Sequence, residues 1–246
     1  MVTLSTEDPV AVAAVAAIRT GDVHVLRELL IEQAWLARAR LGDDEPEGMS
    51  RTLLHVATDW PGHFPHVAAS IAALVEAGAE VNARFRGPHA ETPLHWAASS
   101  DDVAALDALL DAGADIEASG AVLGGGPPLA DACGFKQWHV AHRLVERRAR
   151  TTLVDAATLG LVDRLHECLA AAVRPTQDEI TRAFWGACHG GRQRCAEVLL
   201  GQGAELNWVP PWENLTPLDA ASREGADQLV AWLRERGAKS ATEPTG

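Results

Sequence analysis

The sequence predicts an all-α chain built by internal repetition, a solenoid of helix-turn-helix units joined by short hairpins. Three observations carry that prediction. Alanine is far over-represented, 45 of 246 residues, and much of it falls in helix-like runs over 11–17, 68–77 and 104–114. Small side chains repeated along helices let neighbouring helices approach closely. Gly78-Ala79-Glu80-Val81-Asn82, Gly113-Ala114-Asp115-Ile116-Glu117 and Gly203-Ala204-Glu205-Leu206-Asn207 align, each behind an apolar helix end. After a turn new helices open, at Thr92-Pro93-Leu94-His95 and Thr216-Pro217-Leu218-Asp219, with Thr52-Leu53-Leu54-His55 and Pro127-Pro128-Leu129 as variants. Self-similarity of this kind marks repeat architectures.

Each piece has a physical reason. Thr is a good N-cap, and Pro is tolerated at the first helical position because its missing N–H costs nothing there. Gly at a helix exit takes the left-handed conformation that other residues resist. Composition then narrows the function classes. With 21 Lys+Arg against 34 Asp+Glu the formal charge is −13, and a negative field argues against nucleic acid, which needs a basic stripe. No apolar run reaches the length of a membrane span. Met1–Pro9 is short, polar and partly acidic, unlike a secretory signal. Cys133, Cys168, Cys188 and Cys195 show neither CxxC spacing nor disulfide-scaffold density. The expectation is a cytoplasmic, monomeric protein with free thiols.

The linked helix starts, Thr92-Pro93-Leu94-His95 and its variants, and the Gly-Ala exits resemble those of the ankyrin-repeat family. That resemblance implies an ankyrin-repeat α-solenoid, with the Ala one or two places after the His at the helix-stacking position. Taking this Ala as the register mark gives Ala17, Ala57, Ala97, Ala132, Ala156, Ala187 and Ala221, spaced 40, 40, 35, 24, 31 and 34. About seven units result, against a family period of about 33. The long first spacing reflects an acidic connection around Gly42–Ser50. The second reflects an insertion, Pro61-Gly62-His63-Phe64-Pro65, and a longer hairpin over Phe85–Glu91. The short spacing means that the turn after Ala149 is nearly absent. The expected layout is a single domain over 1–246: a tail at 1–9, an N-terminal capping repeat at 10–47, central repeats at 48–211 with the insertion at 61–65, a C-terminal capping repeat at 212–240 and a tail at 241–246.

The resemblance also implies where to look for binding. Family groove positions flank the register Ala, one before it and two and three after. They select Asp59 and Trp60, Trp96, Ser99 and Ser100, Asp131 and Phe135, Asp155, and His189. The insertion adds His63, Phe64 and His66; hairpin tips add Phe85 and His89, with Trp208 and Trp212 further along. Trp beside charged groups matches the composition of binding hot spots. The expected function is a scaffold that grips a protein or peptide in a concave groove, the partner being basic with a hydrophobic anchor. The alternative is a small-molecule pocket or an enzyme in which Asp131, Asp155 and His189 do acid–base work near Trp96.

Other signals are read as structural. His55 and His95 hold the family's turn-bonding position. His63-x-x-His66 and His139-x-x-His142 lack further ligands at zinc spacing, so no metal or cofactor is expected. Gly124-Gly125-Gly126-Pro127-Pro128 lacks the Lys and Ser/Thr of a phosphate loop and reads as a hairpin into a Pro-started helix. Cys188 and Cys195 occupy small, packed positions and are expected to be inert.

Overall fold

Consecutive helices pair throughout the computed structural model, which describes residues 2–43 and 48–243. Contacts group the chain into two compact units, Met1–Ala149 and Arg150–Gly246, each described by itself. The first unit holds four pairs: α1 (Pro9–Thr20) with α2 (Val23–Glu32), α3 (Leu53–Ala57) with α4 (Val67–Glu76), α5 (Pro93–Ser99) with α6 (Val103–Asp111), and α7 (Pro128–Gly134) with α8 (Trp138–Glu146). The second holds three: α9 (Leu153–Leu159) with α10 (Val162–Leu169), α11 (Gln177–His189) with α12 (Gln193–Gly201), and α13 (Pro217–Arg223) with α14 (Asp227–Glu235). The seven pairs match the seven register alanines. Ala17 is 4% exposed and the other six are 0% exposed, so a methyl is all that the space between stacked helices admits.

Five helices that open a repeat start with the same reciprocal cap. Thr52, Thr92, Thr152, Thr176 and Thr216 are the N-caps, and His55, His95, Asp155, Glu179 and Asp219 stand three residues on. In each box the later side chain accepts the Thr backbone N–H, as capping boxes require. The imidazoles do more. The Thr52 N–H donates to His55 Nδ1 at 3.3 Å, which puts the ring proton on Nε2, 3.2 Å from the Glu91 carbonyl. His95 repeats this with Thr92 N at 3.1 Å and the Gly126 carbonyl at 3.2 Å. Each ring therefore closes its own helix and ties it to the next hairpin, as expected from the sequence. Repeat exits are linked similarly. Asn82 Oδ1 accepts Asp115 N–H at 2.8 Å, and Asn207 Oδ1 accepts Lys239 N–H at 2.8 Å.

The start of the chain departs from expectation. Thr3–Leu4, assigned to a tail, is strand β1, parallel to β2 (Arg40–Gly42), which pairs antiparallel with β3 (Ser50–Thr52). Backbone pairing recruits these residues, a signal too short to stand out in the sequence. Arg40, 4% exposed, donates to the Ser50 carbonyl at 2.6 Å and the Arg84 carbonyl at 2.8 Å. It staples the sheet to the following hairpin, and burial lowers its pKa. Asp44–Glu47 of the acidic connection and Pro244–Gly246 of the C-terminal tail lie outside the described residues.

The insertion is braced from two sides. Gly21, at φ 71°, leaves no room for a Cβ against the Pro65 carbonyl. The His63 backbone N–H donates to Asp102 Oδ2 at 2.7 Å. Two substitutions separate the close-packed alanines from the solvated ones. Ala97→Leu, at a fully buried site, is expected to cost the first unit about 1–3 kcal/mol through overpacking. Ala72→Leu, exposed on α4, should stay within about 0.5 kcal/mol of the parent; urea unfolding of the intact chain measures both.

Candidate functional site

In the first unit the aromatic residues selected from the sequence gather around a capping histidine. Trp96 meets His55 edge-on with centroids 4.9 Å apart, and Phe85 packs on Trp96 at 5.4 Å. Trp96 and Phe85 are half-buried, so part of each ring serves packing and the rest faces water. Ser100 is buried and donates to the Thr58 carbonyl at 3.3 Å, while the Ser99 carbonyl accepts from Gln137 Nε2 at 2.9 Å and the Ser99 Oγ is itself buried; neither hydroxyl is a surface group. Phe135 is 41% exposed, as is Leu123. Leu123 lies against Gly134, where a Cβ would strike its side chain.

Two buried carboxylates stand beside this cluster. Asp131 is fully buried and its two oxygens accept the Val122 and Leu123 backbone N–H groups at 3.3 and 3.2 Å. It thereby pins the Gly-rich hairpin. Burial pushes its pKa up to about 6, against the pull of those two donors and of His89. Glu91 was not selected from the sequence, yet it is buried and hydrogen-bonds the Trp96 side chain. Burial, then repulsion by Asp131, raises its pKa, while Trp96 and His89 lower it. His89 itself is exposed. An acidic residue directly before an N-cap Thr, whose carbonyl takes the preceding repeat's His, is the signal that would have found Glu91.

The insertion presents Trp60, 79% exposed, next to Asp59. Asp59 Oδ2 accepts from Arg51 at 2.6 Å and lies 3.7 Å from Arg19. His63 and His66 are exposed, at φ 57° and 53°, and Phe64 is half-buried. Among the described residues no group of three His, Cys, Asp or Glu is arranged to hold a metal ion.

The second unit has its own aromatic run. Trp185 stacks on His189 with centroids 5.2 Å apart, meets Trp212 edge-on at 6.0 Å, and Trp212 meets Trp208 at 5.6 Å. Trp212 is 56% exposed, with the Arg182 guanidinium 5.7 Å from its ring centroid. His189 is buried and its Nδ1 accepts from Arg223 at 3.1 Å; Arg223 also pairs with Glu213. Trp185 escaped the sequence reading because it lies two residues before the register Ala187, outside the family groove positions. Its i, i+4 spacing to His189 on a 13-residue helix is the pattern that places it.

Each member of the acid–base trio has its own local partners. Asp131 belongs to the first unit and holds a hairpin. Asp155 closes the α9 capping box, accepting Thr152 N–H at 2.8 Å and Oγ1–H at 2.7 Å. His189 is stacked and bonded in the second unit. Each side chain is engaged by its own backbone or ring neighbours. The buried Cys188 and Cys195 thiols are pushed up by desolvation, which disfavours the reactive thiolate.

Residues 13–120 match the family of ankyrin repeats, in three copies. The ankyrin repeat domain of human ASB11 is similar in structure, with a TM-score of 0.51 over 95% of this chain and 92% of that one, at 22% identity. The chain therefore has the ankyrin-repeat fold, with the family match lying in residues 13–120. The ankyrin geometry runs on past residue 120, since α7–α14 keep the paired helices and the buried register alanines. Over 186 residues, 72% of its length, the chain is 27% identical to the ankyrin repeat and KH domain-containing protein CBG24701 of Caenorhabditis briggsae. It spans 7% of that relative's length. No described helix is long and apolar enough to cross a membrane.

The buried rings make the first unit acid-sensitive. Desolvation lowers the folded pKa to about 3 for His55 and about 4 for His95, below the unfolded value of roughly 6.5. The unfolded chain therefore binds more protons below that value, and stability falls with pH through this window. Asp131 works oppositely, because its raised pKa favours proton uptake by the folded state between about 6 and the ordinary Asp value. Glu91, also raised, works in the same sense as Asp131, but the two imidazoles begin to charge in the unfolded chain nearer about pH 6.5 and outweigh both carboxylates by about pH 5. The urea midpoint should drop between pH 7 and pH 5, and His95→Asn, though less stable at pH 7, should show a shallower drop. A pH-independent midpoint in the parent protein would contradict the buried neutral rings.

Proposed function

We propose that the protein is a scaffold that grips a partner protein or peptide with aromatic anchors on its groove and hairpin surfaces. Ankyrin repeats are generally protein–protein interaction modules, and the observation that carries the reading here is Trp60. It is 79% exposed on a loop braced by Pro65 against Gly21 and by His63 against Asp102. A large ring left in water on a pre-ordered support binds without a further ordering cost, which is how hot spots work. Trp212 offers a second anchor of the same kind, stacked edge-on against Trp185 and Trp208. The overall charge of −13 favours a partner with basic residues around an apolar side chain.

The acid–base reading gains no support from Asp131, Asp155 and His189, whose polar atoms are already bonded locally. Peptide-display selection on the intact chain tests the scaffold reading. Selected peptides should combine Lys or Arg with an aromatic or aliphatic anchor. Trp60→Ala and Trp212→Ala should keep the parent helicity and unfolding midpoint, and the pair should weaken the selected peptides by about ten-fold or more. Undiminished binding by the double variant would remove these rings from the interface.

A further inference from the structure

We propose that a cleft at the start of the first unit is a binding site for a carboxylate carried on a short aliphatic body. The cleft encloses about 460 Å³, within the range of about 300–1,000 Å³ usual for small-ligand sites. One wall is a face of α1. Val12, Val15, Ala16 and Arg19 line it at spacings of three, four and seven residues, which place them on one helical stripe. This stripe is distinct from Ala11, Ala14, Ala17 and Ile18, which α1 buries in the core. Val12 is 50% exposed although it belongs to a concave apolar wall. Leu41 of β2 and Arg51 of β3 line the same cleft, and Thr6 sits at its edge. The strand β1, which the sequence placed in a tail, helps to form this end of the unit.

Charge decides what the cleft would hold. Arg19 and Arg51 both line it and share one carboxylate, with Arg51 Nη1 at 2.6 Å and Arg19 Nη2 at 3.7 Å from the same Asp59 oxygen. Two guanidiniums against one carboxylate leave one positive charge, in a protein that is otherwise strongly negative. Asp8 does not line the cleft and turns its Oδ1 to the α1 N-cap, accepting Val10 N–H at 2.8 Å. A guanidinium has five donors and suits carboxylate geometry, while the Val12–Val15–Leu41 wall suits an aliphatic chain rather than a hydrated polyanion. The shared chemistry is an alkyl carboxylate, found in a free aliphatic acid and in the terminal residue of a peptide ending in Val, Ile or Leu. The inference is independent of the scaffold reading, whose partner is basic.

The test titrates the intact, ¹⁵N-labelled chain with four probes: octanoate, 1-octanol, and an acetylated Ala-Ala-Val peptide as its free acid and as its amide. At least one acid should bind with Kd below about 1 mM and shift the Val12, Val15 and Arg19 amides, while octanol and the amide do so far more weakly. Arg19→Gln, at a half-exposed site, should weaken that acid by about five-fold or more, and Val12→Glu, also exposed, should abolish its binding. Octanoate alone identifies a free acid as the ligand, the peptide acid alone identifies a chain terminus, and both together support the common chemistry. Equal binding of the neutral probes, no shift from either acid, or undiminished binding by folded Val12→Glu would each overturn the proposal.

Discussion

The structure depends on one hydrogen bond made twice over: a side chain at the third helical position that caps its own helix and, where it is an imidazole, also grips the next hairpin. A stack of helix pairs has little sequence-distant packing to hold its register, because each repeat touches only its neighbours. His55 and His95 supply that register by fixing a helix start to the Glu91 and Gly126 carbonyls. The alanines follow from it, since once helix starts are locked in line the space between stacked helices is set and leaves room for a methyl. The hairpin fixed in this way carries Phe85 and Glu91 to defined places, and Asp131 of α7 pins the next one.

That frame explains why function and stability share side chains here. Trp96 packs on a capping histidine, hydrogen-bonds a buried carboxylate and still shows an edge to water. Asp131 pins a hairpin while holding an acidic charge beside Glu91. Such residues cannot be deleted without disturbing the fold, so they are poor probes of binding. Trp60 and Trp212 project from supports that other residues brace, and their rings can be removed with little structural cost. A repeat surface thus separates into positions that build the frame and positions that the frame merely displays.

The fold was legible because repetition multiplies weak local signals: Thr92-Pro93-Leu94-His95 alone is a helix start, but with its variants at 52–55 and 216–219 in register with Gly-Ala exits it is an architecture. The roles of His55 and His95 were legible for the same reason. The sites were read less fully, since groove positions transferred by register say which residues face a direction but not what they touch. Asp131 and Asp155 look equivalent in that register, yet one is buried under a Gly-rich hairpin and the other closes a capping box. Glu91 and Trp185 fall off the register and matter through neighbours brought near by folding. The β1 strand rests on backbone pairing across some forty residues, and the Arg40 staple on a side chain reaching carbonyls as distant as Arg84, which no local pattern encodes.

The change from His to Asp or Glu at the third helical position sets a polarity for the joints between repeats. A protonated imidazole nitrogen needs a carbonyl on the following repeat, whereas a carboxylate can only accept; Asp219 takes the Ala241 N–H at 2.8 Å. A His-type repeat placed before a segment built to donate would leave a buried donor facing a donor. At His55 and His95 the joint is directional, since each ring N–H must meet a carbonyl of the following hairpin.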